Sequence, residues 1–186
     1  METEKRMELV NVIVEEVRPL LQGSESKKLV DYGSGSGLVS LELTDLVDSI
    51  LLVDSSKQAL RDATDKIMAR GITNCEVLYS DFTEDMPELK ADIVLLSLVL
   101  LHIPDTKLIL QRLFSILPTD GQLLIVDFDK NDQVNHPKIH SGFSHNELNS
   151  LLTEVGFTSI TCKTFYHGKQ IFANQDASMF IATCRK

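Results

Sequence analysis

Short apolar runs alternate with amphipathic segments along most of the chain. Apolar runs of strand length occupy residues 29–33, 49–54, 75–81, 91–99 and 121–128. Helical spacing of apolar residues, or residues that start and stop helices, predicts helices at residues 7–21, 38–46, 55–69, 104–117 and 145–155. Because strands that alternate with helices form right-handed crossovers, the pattern predicts an α/β fold with a mainly parallel sheet covered by helices on both faces.

Two runs near the C-terminal end break this alternation. Residues 160–166 and 177–184 both have strand character, and they bracket His167, Gly168 and Lys169 with no helix between them. Strands joined in this way pair as a hairpin, so we expect an antiparallel edge to the sheet. The polar residues 129–142 have no apolar period and are predicted to form a loop.

Capping residues support two of the helix boundaries. Ser55 or Ser56 precedes the helix predicted at residues 55–69, and Gly71 follows it, as is typical of an N-cap and a C-terminal stop. Ser144 is followed three residues later by Glu147, which is the spacing of a capping box.

Length, composition and charge indicate one globular domain over residues 1–186. The 186 residues are 43% hydrophobic and 24% charged, so one core is expected. The net charge of −9 would repel a phosphate backbone, so no nucleic-acid partner is expected, although excess acid also favours solubility. Cys75, Cys162 and Cys184 are too widely spaced to suggest a zinc site or a disulfide framework.

The N-terminal residues do not resemble a signal peptide, because charges run through the first eight positions. No apolar run approaches the ~20 residues of a membrane span. We therefore expect a cytoplasmic location and no membrane partner.

Three glycines lie directly after the first predicted strand, in the segment Asp31-Tyr32-Gly33-Ser34-Gly35-Ser36-Gly37. Backbone N–H groups and a helix N-terminus at such a turn favour a polar or anionic ligand group, and glycine lets the ligand approach the backbone. The dinucleotide motif G-x-G-x-x-G would require its third glycine at position 38, where this chain has leucine. NAD and FAD are therefore disfavoured.

The glycine spacing instead resembles the D/E-x-G-x-G-x-G motif of class I S-adenosylmethionine-dependent methyltransferases. Residues 100–105 (LLHIPD) are similar to the LHHxxD-type element of small-molecule methyltransferases, including those of the ubiquinone and menaquinone type. Residues 142–148 (GFSHNEL) and 154–157 (EVGF) are similar to the stretch before their sixth strand. The resemblance extends from about residue 29 to the C-terminal end.

This resemblance implies a Rossmann-like, seven-stranded sheet of order 3-2-1-4-5-7-6 with strand 7 antiparallel. It also implies S-adenosylmethionine as cofactor and S-adenosylhomocysteine as product. The implied cofactor contacts come from the glycine loop and from the ends of the next three strands: Asp31, Tyr32, Gly33, Ser34, Gly35, Gly37, Asp54, Ser55, Asp81, Phe82, Ser97 and Leu98.

Two acids beyond the loop have defined roles if the resemblance holds. Asp54 closes the second strand, where a carboxylate can accept hydrogen bonds from two ribose hydroxyls. Asp81 ends the third strand, where it can accept from the adenine amino group while the Phe82 side chain covers the ring. For each acid, and for Asp31, an ordinary turn or capping role is the alternative.

Methyl transfer from a sulfonium is an in-line displacement, which a protein catalyses mainly by positioning. Some acceptors also need a general base, and His102, His136 and His140 are the candidates for a base or a substrate contact. A packing role for His102 and an exposed loop position for the other two are the alternatives. No metal site is expected, because Pro137 disfavours a helix that would bring His136 and His140 together.

Asp127 and Asp129 also lie near the crevice predicted at the strand ends, where they can face a ligand or simply face water. Together these features predict methyl transfer to a small-molecule acceptor. The alternatives are a methyltransferase that acts on protein or RNA and a non-catalytic S-adenosylmethionine-binding module. No Asn-Pro-Pro-Tyr-type motif follows the fourth strand, which argues against methylation of base amino groups or glutamine amides.

The glycine motif begins about 30 residues into the chain, whereas many small-molecule relatives have a longer N-terminal segment over the substrate site. We therefore expect the helix within residues 1–22 and the loop at residues 129–142 to cover the substrate side. Otherwise the site is open, or a second subunit completes it in a homodimer.

Overall fold

Seven strands form one mixed sheet in the computed structural model, which describes the backbone of residues 2–186 and the side chains from residue 4 onward. The strands are β1 Lys28–Tyr32, β2 Ser49–Asp54, β3 Cys75–Tyr79, β4 Ile93–Ser97, β5 Gln122–Phe128, β6 Thr158–Phe172 and β7 Gln175–Arg185. Their order is β3-β2-β1-β4-β5-β7-β6, and β7 is antiparallel to both of its neighbours. The predicted sheet order and the antiparallel edge are confirmed.

Four α-helices cover the sheet: α1 Glu2–Val17, α2 Lys57–Arg70, α3 Thr106–Ile116 and α4 His145–Val155. Short 3-10 turns form at Arg18–Leu21, Ser40–Glu42 and Leu100–His102. None of the helices in residues 2–186 is long and apolar enough to cross a membrane.

The core has two halves, one on each face of the sheet. Leu29 of β1 packs in the half that contains residues of α1 and α2, whereas the next residue, Val30, packs in the half that contains residues of α3 and α4. Successive side chains of a strand point to opposite faces, so a strand covered on both faces must be apolar at every position. Helices on both faces, as predicted, explain the continuous apolar runs in the sequence.

The predicted caps of α2 and α4 are present. The Ser56 hydroxyl accepts an N–H three residues further on at 3.2 Å, and Gly71 closes α2 with a φ of 64°. The Ser144 hydroxyl accepts the N–H of Glu147 at 3.2 Å and donates to the Glu147 carboxylate at 2.7 Å. Each such cap contributes ~1 kcal/mol by satisfying a backbone group that the helix leaves unpaired.

Two other helix boundaries differ from the prediction. The helix expected at residues 7–21 begins at Glu2, ends at Val17 and continues as a 3-10 turn that contains Pro19. The helix expected from Pro104 begins at Thr106, because Asp105 is its N-cap.

The helix predicted at residues 38–46 is wrong, since only the 3-10 turn Ser40–Glu42 forms there. Leu41 and Leu43 are both buried. Residues two apart do not share a helix face, so an α-helix would have buried only one of them. The glycine loop is therefore not followed by an α-helix whose N-terminus could attract an anion.

The β6–β7 turn lies further along the chain than predicted. His167, Gly168 and Lys169 belong to β6, which continues to Phe172. The turn residues Ala173 and Asn174 have φ angles of 48° and 62°, as in a type I′ turn. Asn174 was the available sequence signal, because asparagine tolerates the left-handed conformation.

Ala173→Gly is expected to raise the free energy of unfolding by about 1 kcal/mol, because alanine is strained in the left-handed region and glycine is not. Urea denaturation measures the change. Ala177→Gly is the matched control: the same methyl group is removed from extended β7, and stability should fall. A loss of stability in both variants would contradict the turn geometry.

Candidate functional site

Two cavities meet at Gly33, where the carboxyl ends of β1, β2 and β4 lie side by side. The loop cavity, of about 260 Å³, is lined by the glycine loop, the segment after β4 and α1 residues Arg6, Leu9, Val10 and Ile13. The acid cavity, of about 220 Å³, is lined by Asp54, Asp81 and the residues around them, together with part of the segment after β4. Their combined size is that of a small-molecule site.

The residues predicted to contact the cofactor divide between these cavities. The loop cavity contains Asp31, Ser34, Gly35, Ser97 and Leu98, the acid cavity contains Tyr32, Asp54, Ser55 and Asp81, and Gly33 lines both. Gly37 and Phe82 line neither cavity. A Cβ at Gly37 would lie 2.8 Å from Leu52 Cδ1, so Gly37 serves packing.

Hydrogen bonds to the end of β2 hold the glycine loop in place. The N–H groups of Gly33 and Ser34 donate to the carbonyl of Val53 at 2.8 and 3.1 Å. The N–H of Gly35 donates to Asp54 Oδ2 at 2.7 Å. The chain's own groups therefore preform the loop.

Gly33 and Gly35 are glycine for different reasons. Both have left-handed φ angles, of 73° and 55°. A Cβ at Gly33 would lie 2.1 Å from Cγ2 of Val99, so only glycine allows the loop to pack against the segment after β4. A Cβ at Gly35 would meet no atom within 4 Å, so the space beside this backbone is open to a ligand.

Asp54 connects the loop to the start of α2. Its Oδ2 accepts the Gly35 N–H, and its Oδ1 accepts the N–H of Ser56 at 2.7 Å. Each carboxylate oxygen can accept more than one hydrogen bond, so both can also accept from a ligand hydroxyl. The sequence suggested the ligand contact, but it gave no signal for the anchoring of the loop.

Asp81 is an ionised acceptor in the acid cavity. Its Oδ1 accepts hydrogen bonds from the Thr83 hydroxyl at 2.6 Å, the Thr83 N–H at 2.8 Å and the Tyr32 hydroxyl at 3.3 Å. Burial opposes ionisation, but these hydrogen bonds outweigh it and lower the pKa of Asp81.

The side chain of Phe82 is not available to cover an adenine ring, which corrects that expectation. It is 0% exposed and packs on Tyr32, with ring centroids 4.6 Å apart. The Phe82 N–H donates to the Tyr32 hydroxyl at 3.1 Å, and its carbonyl accepts from Arg112. Phe82 therefore supports Tyr32, and only its backbone lies near the acid cavity.

Asp31 is a buried carboxylate with one unsatisfied oxygen. Its Oδ2 accepts from the Ser40 hydroxyl at 2.6 Å, whereas Oδ1 has no hydrogen-bond partner among the described residues. Burial, with a smaller contribution from the charge of Asp54, raises the pKa of Asp31 to about 7 against the opposing effect of the Ser40 hydrogen bond. An unsatisfied buried polar group costs ~1–3 kcal/mol, so a ligand donor at Oδ1 would be stabilising.

The backbone after β4 is strained where it borders the loop cavity. Leu98 has a φ of 54°, and its N–H donates to the Val126 carbonyl at 2.8 Å. A non-glycine residue in this conformation costs ~1–3 kcal/mol, and such strain clusters at functional sites. The resemblance indicated Ser97 and Leu98, but the sequence contains no sign of the strain.

Asp127 has a structural role. It is 0% exposed, and its carboxylate accepts the N–H groups of Leu101 at 3.1 Å and Phe128 at 2.8 Å. It thereby fixes the 3-10 turn Leu100–His102, which borders the acid cavity. Asp129 likewise contacts protein groups, His145 at 2.7 Å and the Thr164 hydroxyl at 2.8 Å.

The three candidate histidines do not come together. His102 lines the acid cavity, and partial burial together with the nearby His136 lowers its pKa. His140 Nε2 lies 2.8 Å from the carbonyl of Ile103, so this nitrogen carries a proton and ties the loop after β5 to the segment after β4. Exposed His136 lines neither cavity, and its Nδ1 accepts the Lys138 N–H at 3.2 Å.

None of these histidines lines the loop cavity. The geometry therefore does not support His140 Nε2 as a base, and it places His102 on the side of Asp54 and Asp81. Among the side chains described, no group of three or more His, Cys, Asp or Glu could hold a metal ion.

Two larger cavities lie away from this end of the sheet. One, of about 440 Å³, includes Lys28, Ser49 and Asn74, at the amino ends of the first strands. The other, of about 550 Å³, lies between residues 86–90 and the end of α3. Neither contains a predicted site residue, and ligands of parallel α/β sheets bind at the carboxyl ends of the strands.

Asp31→Asn is expected to remove part of the pH dependence of stability. The pKa of Asp31 is about 7 in the folded chain, above the ~3.9 of an unfolded aspartate, so the folded state binds the extra proton. The resulting stabilisation is complete below about pH 4 and is lost as the pH rises through about 7. Between these limits the wild type should lose on the order of 3 kcal/mol more than the variant.

Urea unfolding at a series of pH values measures this difference. Asp132→Asn, which removes an exposed carboxylate, is the charge-matched control and should follow the wild-type profile. Parallel profiles for wild type and Asp31→Asn would contradict the raised pKa of Asp31.

The comparisons with known proteins agree with this geometry. A family described as a methyltransferase domain matches residues 24–175. The tRNA 5-carboxymethoxyuridine methyltransferase of Escherichia coli K12 is 22% identical over 126 residues, which are 66% of this chain and 48% of that protein. The ubiquinone/menaquinone biosynthesis C-methyltransferase UbiE of Cellvibrio japonicus is 28% identical over 112 residues, which are 55% of this chain and 43% of that protein.

The chain thus spans about half the length of these relatives. A solved S-adenosylmethionine-dependent methyltransferase from Aquifex aeolicus has the same fold, with a TM-score of 0.68 at 18% identity over 91% of this chain and 88% of that one. Because the family match includes the glycine loop and strands β1 to β5, the chain belongs to the class I S-adenosylmethionine-dependent methyltransferase domain family.

Proposed function

We propose that the chain binds S-adenosylmethionine across the two cavities and transfers its methyl group to a small-molecule acceptor. The observation that carries the proposal is the position of Asp31, Asp54 and Asp81, on or just after three neighbouring strands around Gly33. In this proposal residues 1–186 act as one domain, with α1 over the substrate side.

The adenosine portion fits the acid cavity. Asp54 would accept from the ribose hydroxyls, and Asp81, whose three protein hydrogen bonds all go to Oδ1, would accept from the adenine amino group through Oδ2. His102 borders the same cavity, and in the neutral form it would contact the base. We therefore assign His102 to cofactor binding instead of proton transfer.

The methionine portion fits the loop cavity. Two features support this placement: the buried Oδ1 of Asp31 lacks a partner among the described residues, and the space in front of Gly35 is open. The first would accept a hydrogen bond from the α-ammonium group, and the second would let the ligand lie against the backbone.

When bound, S-adenosylmethionine supplies a methyl group on a sulfonium that a nucleophile can displace. The chain's contribution would be mainly to hold the two reactants in line, which is worth up to ~7–11 kcal/mol. Ser97 and Leu98, together with the glycine loop, fix one side of the loop cavity, and α1 encloses the other. Since no histidine lines that cavity, the proposal includes no histidine base.

A small acceptor is favoured by the shape and lining of the loop cavity. Leu9, Val10 and Ile13 of α1 face Leu38 and other apolar side chains across a space of about 260 Å³. The net charge of −9 would also weaken an encounter with a polyanion.

Transfer RNA is the second candidate acceptor, because the Escherichia coli relative is named for methylation of a modified uridine in tRNA. Radiolabelled S-adenosylmethionine incubated with the protein, a small-metabolite fraction and bulk tRNA separates the two. Label in a small metabolite would support the proposal, and label in tRNA would replace it with the second candidate. Label in neither acceptor, with cofactor binding intact, would favour a non-catalytic binding module.

Gly35→Ala is expected to weaken S-adenosylhomocysteine binding at least about tenfold, since the new methyl group would enter the space that the ligand needs. Calorimetric titration measures the affinity, and NAD titrated in parallel should not bind. Gly71→Ala is the matched control, because Gly71 also has a left-handed φ, of 64°, and no atom within 4 Å of an added Cβ. Both variants should lose ~1 kcal/mol of stability, but only Gly35→Ala should lose affinity. Equal affinities in the two variants would contradict a ligand at the glycine loop.

A further inference from the structure

One face of α1 brings a cation to the loop cavity. Arg6, Leu9, Val10 and Ile13 lie at helical intervals of three and four residues, and all four line the cavity. Val10 and Ile13 are 6% and 1% exposed, so packing fixes the orientation of this face. Arg6 is therefore held at the N-terminal end of the same face.

Polar contacts hold α1 on the sheet at both of its ends. Glu8 accepts a hydrogen bond from the Tyr166 hydroxyl at 2.7 Å, close to Arg6 along the helix. Near the C-terminal end, Glu16 pairs with Lys163 at 2.5 Å. Since Tyr166 and Lys163 both belong to β6, these contacts fix α1 against the sheet edge.

Two groups of opposite charge in the loop cavity are left without partners. Arg6 makes no hydrogen bond or ion pair within the described part of the chain, and the two do not pair with each other. Among the described residues, Arg6 is also the only lysine or arginine that lines either cavity. The other group is Asp31, whose Oδ1 is buried and unsatisfied.

We propose that Arg6 binds the α-carboxylate of the cofactor's methionine portion. This inference rests on the proposed function, in which that portion occupies the loop cavity. A methionine tail is a zwitterion, and the cavity offers one acid and one base, so Asp31 receives the ammonium and Arg6 the carboxylate. The acid cavity offers only carboxylates to such a group. The planar guanidinium suits two parallel hydrogen bonds to a carboxylate.

This contact makes α1 part of the cofactor site. The same helix face carries Leu9, Val10 and Ile13, which line the acceptor side of the loop cavity. A bound cofactor would therefore fix the helix that encloses the acceptor.

The test compares three ligands that differ only in the tail: S-adenosylhomocysteine, its decarboxylated analogue and 5′-methylthioadenosine. Arg6→Gln should bind S-adenosylhomocysteine about tenfold more weakly than the wild type, which is a modest loss for a charged hydrogen bond because Arg6 is exposed. Its affinities for the two ligands that lack the carboxylate should equal those of the wild type. Calorimetric titration measures all of these affinities.

Lys5→Gln is the matched control, because it removes the same charge from the adjacent position of α1, where Lys5 contacts Gln170 at 3.3 Å. It should leave all three affinities unchanged. Arg6→Lys should recover part of the loss, since lysine keeps the charge without the planar fork.

An Arg6→Gln variant that binds S-adenosylhomocysteine as the wild type does would overturn the inference. An equal loss for all three ligands would also overturn it, because it would indicate a general effect on the site. Failure of the wild type itself to bind S-adenosylhomocysteine would instead contradict the proposed function.

Discussion

The parallel pairing of β1 with both β2 and β4 determines where every candidate site residue lies. Parallel strands end at the same edge of a sheet, so the segments that follow β1, β2 and β4 must meet there. The hydrogen bond from the Gly35 N–H to Asp54 fixes the first two of these segments to each other. The packing of Gly33 against Val99 adds the third. The two cavities are the space that these three connected segments leave open.

The site also concentrates features that reduce the stability of the folded chain. Asp31 buries a carboxylate with an unsatisfied oxygen, and Leu98 holds a left-handed backbone conformation. Each costs ~1–3 kcal/mol, and no packing gain at the same positions offsets the cost. Asp127 is buried as well, but backbone N–H groups satisfy its carboxylate. The unsatisfied group borders the loop cavity, which is where a bound ligand would compensate for it.

The sequence predicted those parts of the fold that depend on local pattern. The apolar runs gave the strands, the caps at Ser56 and Ser144 gave two helix starts, and the spacing of the glycines gave the loop. The helix expected at residues 38–46 failed because the burial of both Leu41 and Leu43 is a property of the folded core.

The same limit applies to the site. Asp54 and Asp81 were found because acids that follow neighbouring parallel strands must converge. The side chain of Phe82 was misplaced, since its burial against Tyr32 is set by packing that no motif records. The roles of His102 and His140 depend on where two loops cross, which residue spacing does not encode.

A crystal structure of the protein with S-adenosylhomocysteine tests the central claim most directly. The account predicts the adenosine between Asp54 and Asp81, the sulfur beside Gly33 and the amino acid tail against Gly35 and Asp31. A ligand bound in either of the larger cavities, or one whose adenosine lies in the loop cavity, would contradict it.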